Sequence, residues 1–431
     1  MKTISMVFSA PNMLRLHQQK WMTNNPKLNE LFVKCISRVI EHLERKCDEV
    51  LPEFKCEIGL LYNGYTEEKV GNTISRNSNY GFSKIYSDSG GLQVLTLGKE
   101  MNRELMTKVY NSQRNSHYAM AFDEIPAKNL IDADRANIHA RMYYPEQAEQ
   151  CAITTANNIR EQCEFLINDK TQVMFITQGN CINDVVEWFE RGLNIIPSNL
   201  WEKKIAGIAL AGSCMGRGEQ ESIENMLAYI ILNDKYPKML KDRIHLLGYG
   251  SVNRVLPSIK MFNTHFVENK TLSFDSSSLS MSPMLGKFVA ADGSNISVRT
   301  DESQTKVIDE VLDEIGHIFY EVFDDFDRPK LVEHFVKNRK SISAITDIDN
   351  ELEFGVSAWA KAFLPCYSLY QTLNFWRGIR LQLDSSKPLI DSIDNCNTVN
   401  ELIEWYNTNR HRFTSVRISR HTFTPVESFF S

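Results

Sequence analysis

Short apolar runs alternate with longer amphipathic stretches over most of the chain, the pattern made by parallel strands joined through crossover helices. The runs 57–62, 83–87, 118–122, 172–177, 205–210, 244–247 and 271–274 read as buried strands. Between them, 99–114, 145–168, 182–192, 219–232 and 252–262 carry polar residues at helical spacing, as in Glu146-Gln147-Ala148-Glu149-Gln150-Cys151-Ala152, and read as amphipathic helices. Seven strands are visible, and an eighth would close a barrel. Asp88, Asp123, Gln178, Gly212, Gly248 and Asp275 each follow a strand directly. In a (β/α)8 barrel the loops at the carboxyl ends of the strands share one mouth, so residues in those places converge. An open doubly wound sheet gathers its ligands at a switch point instead. The expected fold is therefore α/β, a TIM-like (β/α)8 barrel.

Residues 287–299 read as a β-hairpin turning at Asp292-Gly293, an insertion on the barrel. From about 302 onward the pattern is helical, broken by the charged elbow Asp324-Asp325-Phe326-Asp327-Arg328-Pro329, which ends a helix and reads as a solvated turn. Trp359, Phe375, Trp376 and Trp405 are aromatic anchors of a helical carboxyl-terminal region. The expected organisation is an N-terminal helical segment (1–56), a barrel (57–325) with the hairpin insertion, and a helical region with a basic tail (326–431). No internal repeat or low-complexity segment interrupts it.

A chain of 431 residues with 42% hydrophobic content can bury a large core. A formal charge of −6 argues against coating of nucleic acid by bulk charge, so any polyanion must meet a local basic face. The nine cysteines, at 35, 47, 56, 151, 163, 181, 214, 366 and 396, form no CxxC pair and no Cys/His cluster at zinc spacing, which fits reduced thiols in a cytoplasm. Pro11 and Asn12 interrupt the amino end before a secretory apolar segment could form, and no stretch approaches the roughly 20 apolar residues of a membrane span. A soluble cytoplasmic protein without a membrane partner is expected.

The chemistry concentrates in Asp88-Ser89-Gly90-Gly91-Leu92-Gln93, which sets a carboxylate, a hydroxyl and a carboxamide around two glycines at a strand end. Glycines let a backbone approach a flat ligand. Ala119-Met120-Ala121-Phe122-Asp123-Glu124 and Leu272-Ser273-Phe274-Asp275 repeat the layout of an apolar run followed by an acid. Three acids at three strand ends point to one shared pocket. Gly212-Ser213-Cys214-Met215-Gly216-Arg217-Gly218 lacks the Gly-Lys-Ser/Thr end of a P-loop, and Gly248-Tyr249-Gly250 lacks the third glycine of a dinucleotide fingerprint. No HExxH-like pair occurs among the ten histidines. Neither a metal nor a cofactor is expected.

Taken in order, these pieces resemble the tRNA-guanine transglycosylase superfamily, barrel enzymes that exchange guanine in a nucleic acid for a 7-deazaguanine. The resemblance spans roughly 71–299: Gly71-Asn72-Thr73, Asp88 to Gln93, Met120 to Glu124, Gln178-Gly179, Ile208 to Gly212, Leu246-Leu247-Gly248-Tyr249-Gly250, Phe274-Asp275 and the hairpin. Family members acting on tRNA carry a CxCxxC zinc cluster with a distant histidine near the carboxyl end. Here only Cys366 and Cys396 remain in that region, so no zinc subdomain is expected. Asp275 is followed by Ser276-Ser277-Ser278, and Leu92 stands where many relatives have an aromatic residue. These departures are similar to the 7-deazaguanine DNA transglycosylases of phages and bacterial genomic islands, which implies DNA rather than tRNA as the polymer, within a host cytoplasm.

The resemblance implies that Asp275 is the nucleophile on C1′ and that Asp88 is the acid/base for the departing and arriving purines. Asp123 would accept from the N1–H and exocyclic amine of a free 7-deazaguanine base. Gln178, with Gly179, and the backbone at Gly212 would donate, while Ser89 and Gln93 place the base edge. Leu92 and Leu247, beside Gly248, would sandwich the ring. Each residue also has a plain structural reading. Asp275 could cap the turn with Ser276 and Ser277, Asp123 could cap a helix or pair with a lysine, Gln178 could be a turn residue, and both leucines could be core. Arg217 could meet a phosphate. The tail Arg410-His411-Arg412-Phe413-Thr414-Ser415-Val416-Arg417-Ile418-Ser419-Arg420-His421 is the candidate DNA face or, equally, an amphipathic closing strand with solvated arginines. Base exchange on tRNA, a retaining glycosidase and a non-catalytic subunit are the competing functions, and a homodimer remains open.

Overall fold

The computed structural model describes residues 1–9, 26–65, 80–91, 102–129, 141–143, 145–211, 218–281, 283, 285–338, 355–385 and 388–414. The parallel strands are β1 (Lys2–Ser9), β2 (Phe54–Asn63), β3 (Lys84–Asp88) and β4 (Tyr118–Met120). After a small antiparallel insert, β5 (Ala127–Asn129) with β6 (Arg141–Tyr143), come β7 (Gln172–Thr177), β8 (Ile205–Ala211), β9 (Arg243–Leu247) and β10 (Thr271–Ser276). They close into one barrel in the order β1-β10-β9-β8-β7-β4-β3-β2. The longer helices α1 (Pro26–Val50), α2 (Arg103–Gln113), α3 (Pro145–Phe165), α4 (Ile182–Ile195), α5 (Glu219–Lys235) and α6 (Val252–Phe262) lie between successive barrel strands, with a short helix, Ser198–Lys204, just before β8.

The eighth strand is a correction to the sequence reading. Residues Lys2–Ser9 fall in the segment expected to be helical, yet they pair in parallel with both β2 and β10, Val7 standing opposite Gly59 on one side and Asp275 on the other. Ile4, Ser5, Met6, Val7 and Phe8 are all buried, as in a parallel strand covered on both faces. Such a strand reads as a continuous apolar run rather than an alternating one, which is why it was legible only as an apolar amino end. Pro26–Val50 is the helical part of 1–56.

Contacts between strands that are not neighbours show what fills the barrel. The Tyr86 ring on β3 stacks with His245 on β9 at 5.3 Å, and the Arg243 guanidinium on β9 lies 4.4 Å from the Tyr118 ring of β4. Both contacts cross the interior, so an aromatic and cationic layer occupies the place where aliphatic residues dominate in most such barrels. The outer face is conventional, with Phe175 packed against Phe189 and Trp201.

The hairpin forms as β11 (Lys287–Val289) and β12 (Asn295–Ser297). Beyond it come α7 (Asp301–Val322), α8 (Arg328–Asn338), α9 (Val356–Asp384) and α10 (Val399–Asn409). The elbow at 324–329 separates α7 from α8 as expected, Asp327 accepting the Lys330 N–H at the start of α8. Helix α9 is buried along most of its length, Trp359, Phe375 and Trp376 included. Its side chains replace missing strand partners: Gln371 accepts from Val289 N at 3.0 Å and donates to Leu279 O, while Asn374 donates to Val289 O. The helical region is thereby locked to the hairpin and to the turn that follows β10. Among the described residues no helix is long and apolar enough to cross a membrane.

Candidate active site

Asp88 ends β3, where Gly64 N bonds to its carbonyl at 2.8 Å and Asn63 on the neighbouring strand donates to its carboxyl at 3.3 Å. The turn behind it doubles back at Gly90, with φ of +84°, a conformation that L side chains rarely adopt. Gly91 then passes so close to Asp123 that a Cβ would lie 2.6 Å from its Oδ1. The two glycines thus fold the β3 loop onto the β4 acid, and the buried Ser89 hydroxyl braces the turn by accepting from Gly91 N. Burial, and after it the charge of Asp275, push the Asp88 carboxyl up to about 6, against the backbone N–H groups of Gly90 and Ser89 that stabilise the anion.

Asp123 follows β4 and is 6% exposed. Its Oδ2 accepts a short hydrogen bond from Gln178 at the end of β7, so Gln178 is aimed inward at the acid. Burial drives the Asp123 carboxyl up to about 7; the Gln178 hydrogen bond opposes that shift, and the charge of Asp88 adds to it. Among the described residues Asp123 neither caps a helix nor pairs with a lysine. Gly179 packs tightly, a Cβ there falling 2.8 Å from Val185.

Asp275 sits near the end of β10 and is not the cap of its turn. That place is taken by Ser276, whose hydroxyl accepts from Ser278 N at 3.0 Å. Asp275 instead turns to β9, its Oδ1 accepting from Gly248 N at 2.8 Å. Gly248 has φ of +76°, which aims this N–H back across the strand end. Arg254 fixes the turn from behind, donating to Gly248 O at 2.7 Å while lying 3.8 Å over the Tyr249 ring. A Cβ at Gly248 would meet nothing within 4 Å, so Gly248→Ala tests backbone conformation alone. The expected cost is about 1–2 kcal/mol, read by urea denaturation.

The structure therefore brings Asp88, Ser89, Asp123, Gln178, Gly179, Gly248 and Asp275 to the carboxyl ends of the strands, where the charge of Asp275 acts on Asp88 and that of Asp88 on Asp123. Leu247, at the end of β9, is partly buried against the core. Leu92, Gln93, Gly212, Arg217, Arg417 and Arg420 lie outside the described residues, as does Gly71-Asn72-Thr73. Arg410 and Arg412 form a short turn after α10, and the next residues reach the start of α5, Gln220 N bonding to Thr414 O at 3.0 Å and Glu219 accepting from the Thr414 hydroxyl. Helix α5 follows β8, so the chain just after both arginines reaches the side of the barrel where the strands end.

Three further residues join the site. Asn63 and Gly64 at the end of β2 repeat the polar-plus-glycine layout that singled out Asp88, a signal present in the sequence. His245 lies within the apolar run Ile244-His245-Leu246 and is fully buried, with Nε2 3.3 Å from Asp275 Oδ1 and Nδ1 2.8 Å from the Ser273 hydroxyl. No group of three or more His, Cys, Asp or Glu side chains among the described residues is arranged to hold a metal ion. No protein-family model and no curated protein matches the chain.

Proposed function

We propose that this protein is a transglycosylase that exchanges guanine in DNA for a 7-deazaguanine base, as in the tRNA-guanine transglycosylase superfamily that its motifs resemble. The observation that carries the reading is the convergence of Asp88, Asp123 and Asp275 at one barrel mouth: burial raises the Asp88 and Asp123 carboxyls, and the Asp275 carboxylate oxygen is held by the Gly248 N–H. A carboxyl raised by burial can serve as the acid/base beside a second acid that acts as nucleophile.

In the reaction, a carboxylate oxygen of Asp275 bonds to C1′ as the C1′–N9 bond breaks, its electron pair leaving on guanine and the Asp88 proton passing to the purine. The ester formed carries no charge, so the Coulomb contribution that raised Asp88 disappears and Asp88 becomes a carboxylate. It is then ready to take the N9 proton of the incoming base as that base attacks C1′ and expels Asp275, the cycling used by retaining glycosidases. Asp123 would accept from the guanine N1–H and exocyclic amine, with Gln178 as its orienting partner.

DNA is favoured over tRNA by the absence of the CxCxxC cluster from the sequence, and Cys366 and Cys396 are both buried in the helical region. The target base would have to leave its stack to reach the mouth. Arg410 and Arg412 are the described candidates for phosphate contact. Replacing both with serine should weaken DNA binding and flatten its salt dependence while leaving the acids intact, as measured by fluorescence anisotropy across a salt series.

The direct test is incorporation of radiolabelled guanine into DNA and tRNA in parallel. Label in DNA supports the reading, label in tRNA alone moves the substrate to RNA, and hydrolysis of simple glycosides without exchange rejects base exchange. The pH dependence is a separate prediction. Release of guanine needs protonated Asp88, so the rate of the first half-reaction should fall about tenfold per pH unit above about 6. Asp88→Asn should remove that limb in single-turnover assays.

A further inference from the structure

We propose that His245 is a positioning residue that orients the Asp275 carboxylate from inside the barrel, an inference that rests on the transglycosylase reading. His245 is fully buried on β9, its ring stacked on Tyr86 from across the barrel, and its Nε2 stands 3.3 Å from Asp275 Oδ1. That is ion-pair distance, yet Nε2 has no aligned hydrogen-bond partner. Alignment of this kind is often completed only when substrate is bound. The same Oδ1 accepts from Gly248 N. With one oxygen held from the strand end and from the barrel interior, Oδ2 is left as the oxygen that bonds to C1′.

Which ring nitrogen carries the proton follows from Asp275 and Ser273. Its hydroxyl lies 2.8 Å from His245 Nδ1 and 3.1 Å from the Ile244 carbonyl, and its one proton can go to either. If it goes to Ile244, Nδ1 must be the donor, and a neutral ring then points the Nε2 lone pair at a carboxylate oxygen, which is repulsive in a buried site. If it goes to Nδ1, Nε2 carries the hydrogen and can donate to Oδ1. The Asp275 carboxylate facing Nε2 therefore favours the tautomer with hydrogen on Nε2, and the Ser273 hydroxyl can satisfy Nδ1 in that tautomer.

The groups facing His245 are Asp275 and Ser273 on β10 and Tyr86 and Asp88 on β3, with Arg243 and Glu57 acting in turn on Tyr86. The Asp88 carboxyl feels His245 as well, in the lowering direction. His245 thus touches the chemistry only through the two acids.

Two substitutions separate orientation from packing. His245→Phe keeps the ring that stacks on Tyr86 and removes both nitrogens, whereas His245→Gln gives up the ring and retains an N–H near the Nε2 position. With purified full-length protein, an oligodeoxynucleotide and radiolabelled guanine, His245→Phe should lower kcat and the rate of covalent adduct formation by about 10–100-fold with KM for guanine unchanged. His245→Gln should stay within a few-fold of the unaltered protein although it is the less stable variant by thermal unfolding. Equal losses in both, or a Phe variant that outperforms Gln, would overturn the proposal and leave His245 as core packing. Exchange by the unaltered protein, lost in Asp275→Asn, is the internal reference. If that reference shows no exchange the transglycosylase reading fails, and if it does while His245→Phe is fully active only the role of His245 fails.

Discussion

Asp275→Asn should lower the rate of guanine exchange by at least about 10³-fold, the loss typical when a covalent nucleophile is removed. The substitution is conservative in every other respect. Asparagine keeps a carbonyl oxygen to accept the Gly248 N–H, and the turn is held by Ser276 rather than by residue 275. Folding stability should therefore change by less than about 1 kcal/mol, comparable to one hydrogen bond altered in strength. Single-turnover release of labelled guanine and urea denaturation, run on the same preparation, separate the two quantities. A variant that unfolds at the same urea concentration and no longer releases guanine places Asp275 in the chemistry, and one that turns over normally removes it.

Asp123→Asn should have opposite effects on stability and on function. Asp123 is raised to about 7 in the folded protein, mainly by burial, against about 3.9 for an unfolded aspartate. Between those values the folded state holds a proton that the unfolded chain has released, so stability falls as pH rises through this window. Above pH 7 the buried charge is fully developed and costs on the order of a few kcal/mol, which asparagine does not incur. The variant should be more stable than the unaltered protein at pH 8 and indistinguishable near pH 4, read from urea midpoints at the two values. Function should move the other way. A carboxylate accepts from both the N1–H and the exocyclic amine of guanine, whereas an amide offers one acceptor and sets its own N–H against a donor. The mismatch should raise KM for guanine by about 10–100-fold, equivalent to about 1–3 kcal/mol. In the unaltered protein, guanine affinity should rise with pH through about 7 as Asp123 ionises.

Much of this architecture is legible in the sequence because period and position carry it. Seven barrel strands, five of the helices between them, the hairpin and the elbow before α8 follow from apolar runs, polar spacing and turn residues. The three acids are visible because each ends such a run. The first strand was not legible as a strand. Paired along both edges with β2 and β10 and buried on both faces, it shows no alternation, and its position at the amino end invites a different explanation. His245 was missed for a related reason. One polar residue inside an apolar strand looks the same whether it is a satisfied core histidine or a partner of a carboxylate, and only the register of β9 against β10, with His245 opposite Ser273, puts Asp275 in reach. The aromatic and cationic filling of the interior, Tyr86 on His245 and Arg243 over Tyr118, depends on contacts between strands far apart in the chain. No local pattern encodes them. Asn63-Gly64, by contrast, carried the same polar-plus-glycine signal as the Asp88 loop.

The central claim is a covalent bond between Asp275 and the anomeric carbon of a deoxyribose. Its most direct test is mass spectrometry of the protein incubated with a guanine-containing oligodeoxynucleotide, with no free base supplied so that the intermediate cannot be resolved by exchange, followed by peptide mapping. An adduct on the peptide containing Asp275, lost on addition of free guanine and absent from Asp275→Asn, is the expected result. Continued guanine exchange with no adduct, or an adduct mapped to another residue, would contradict it.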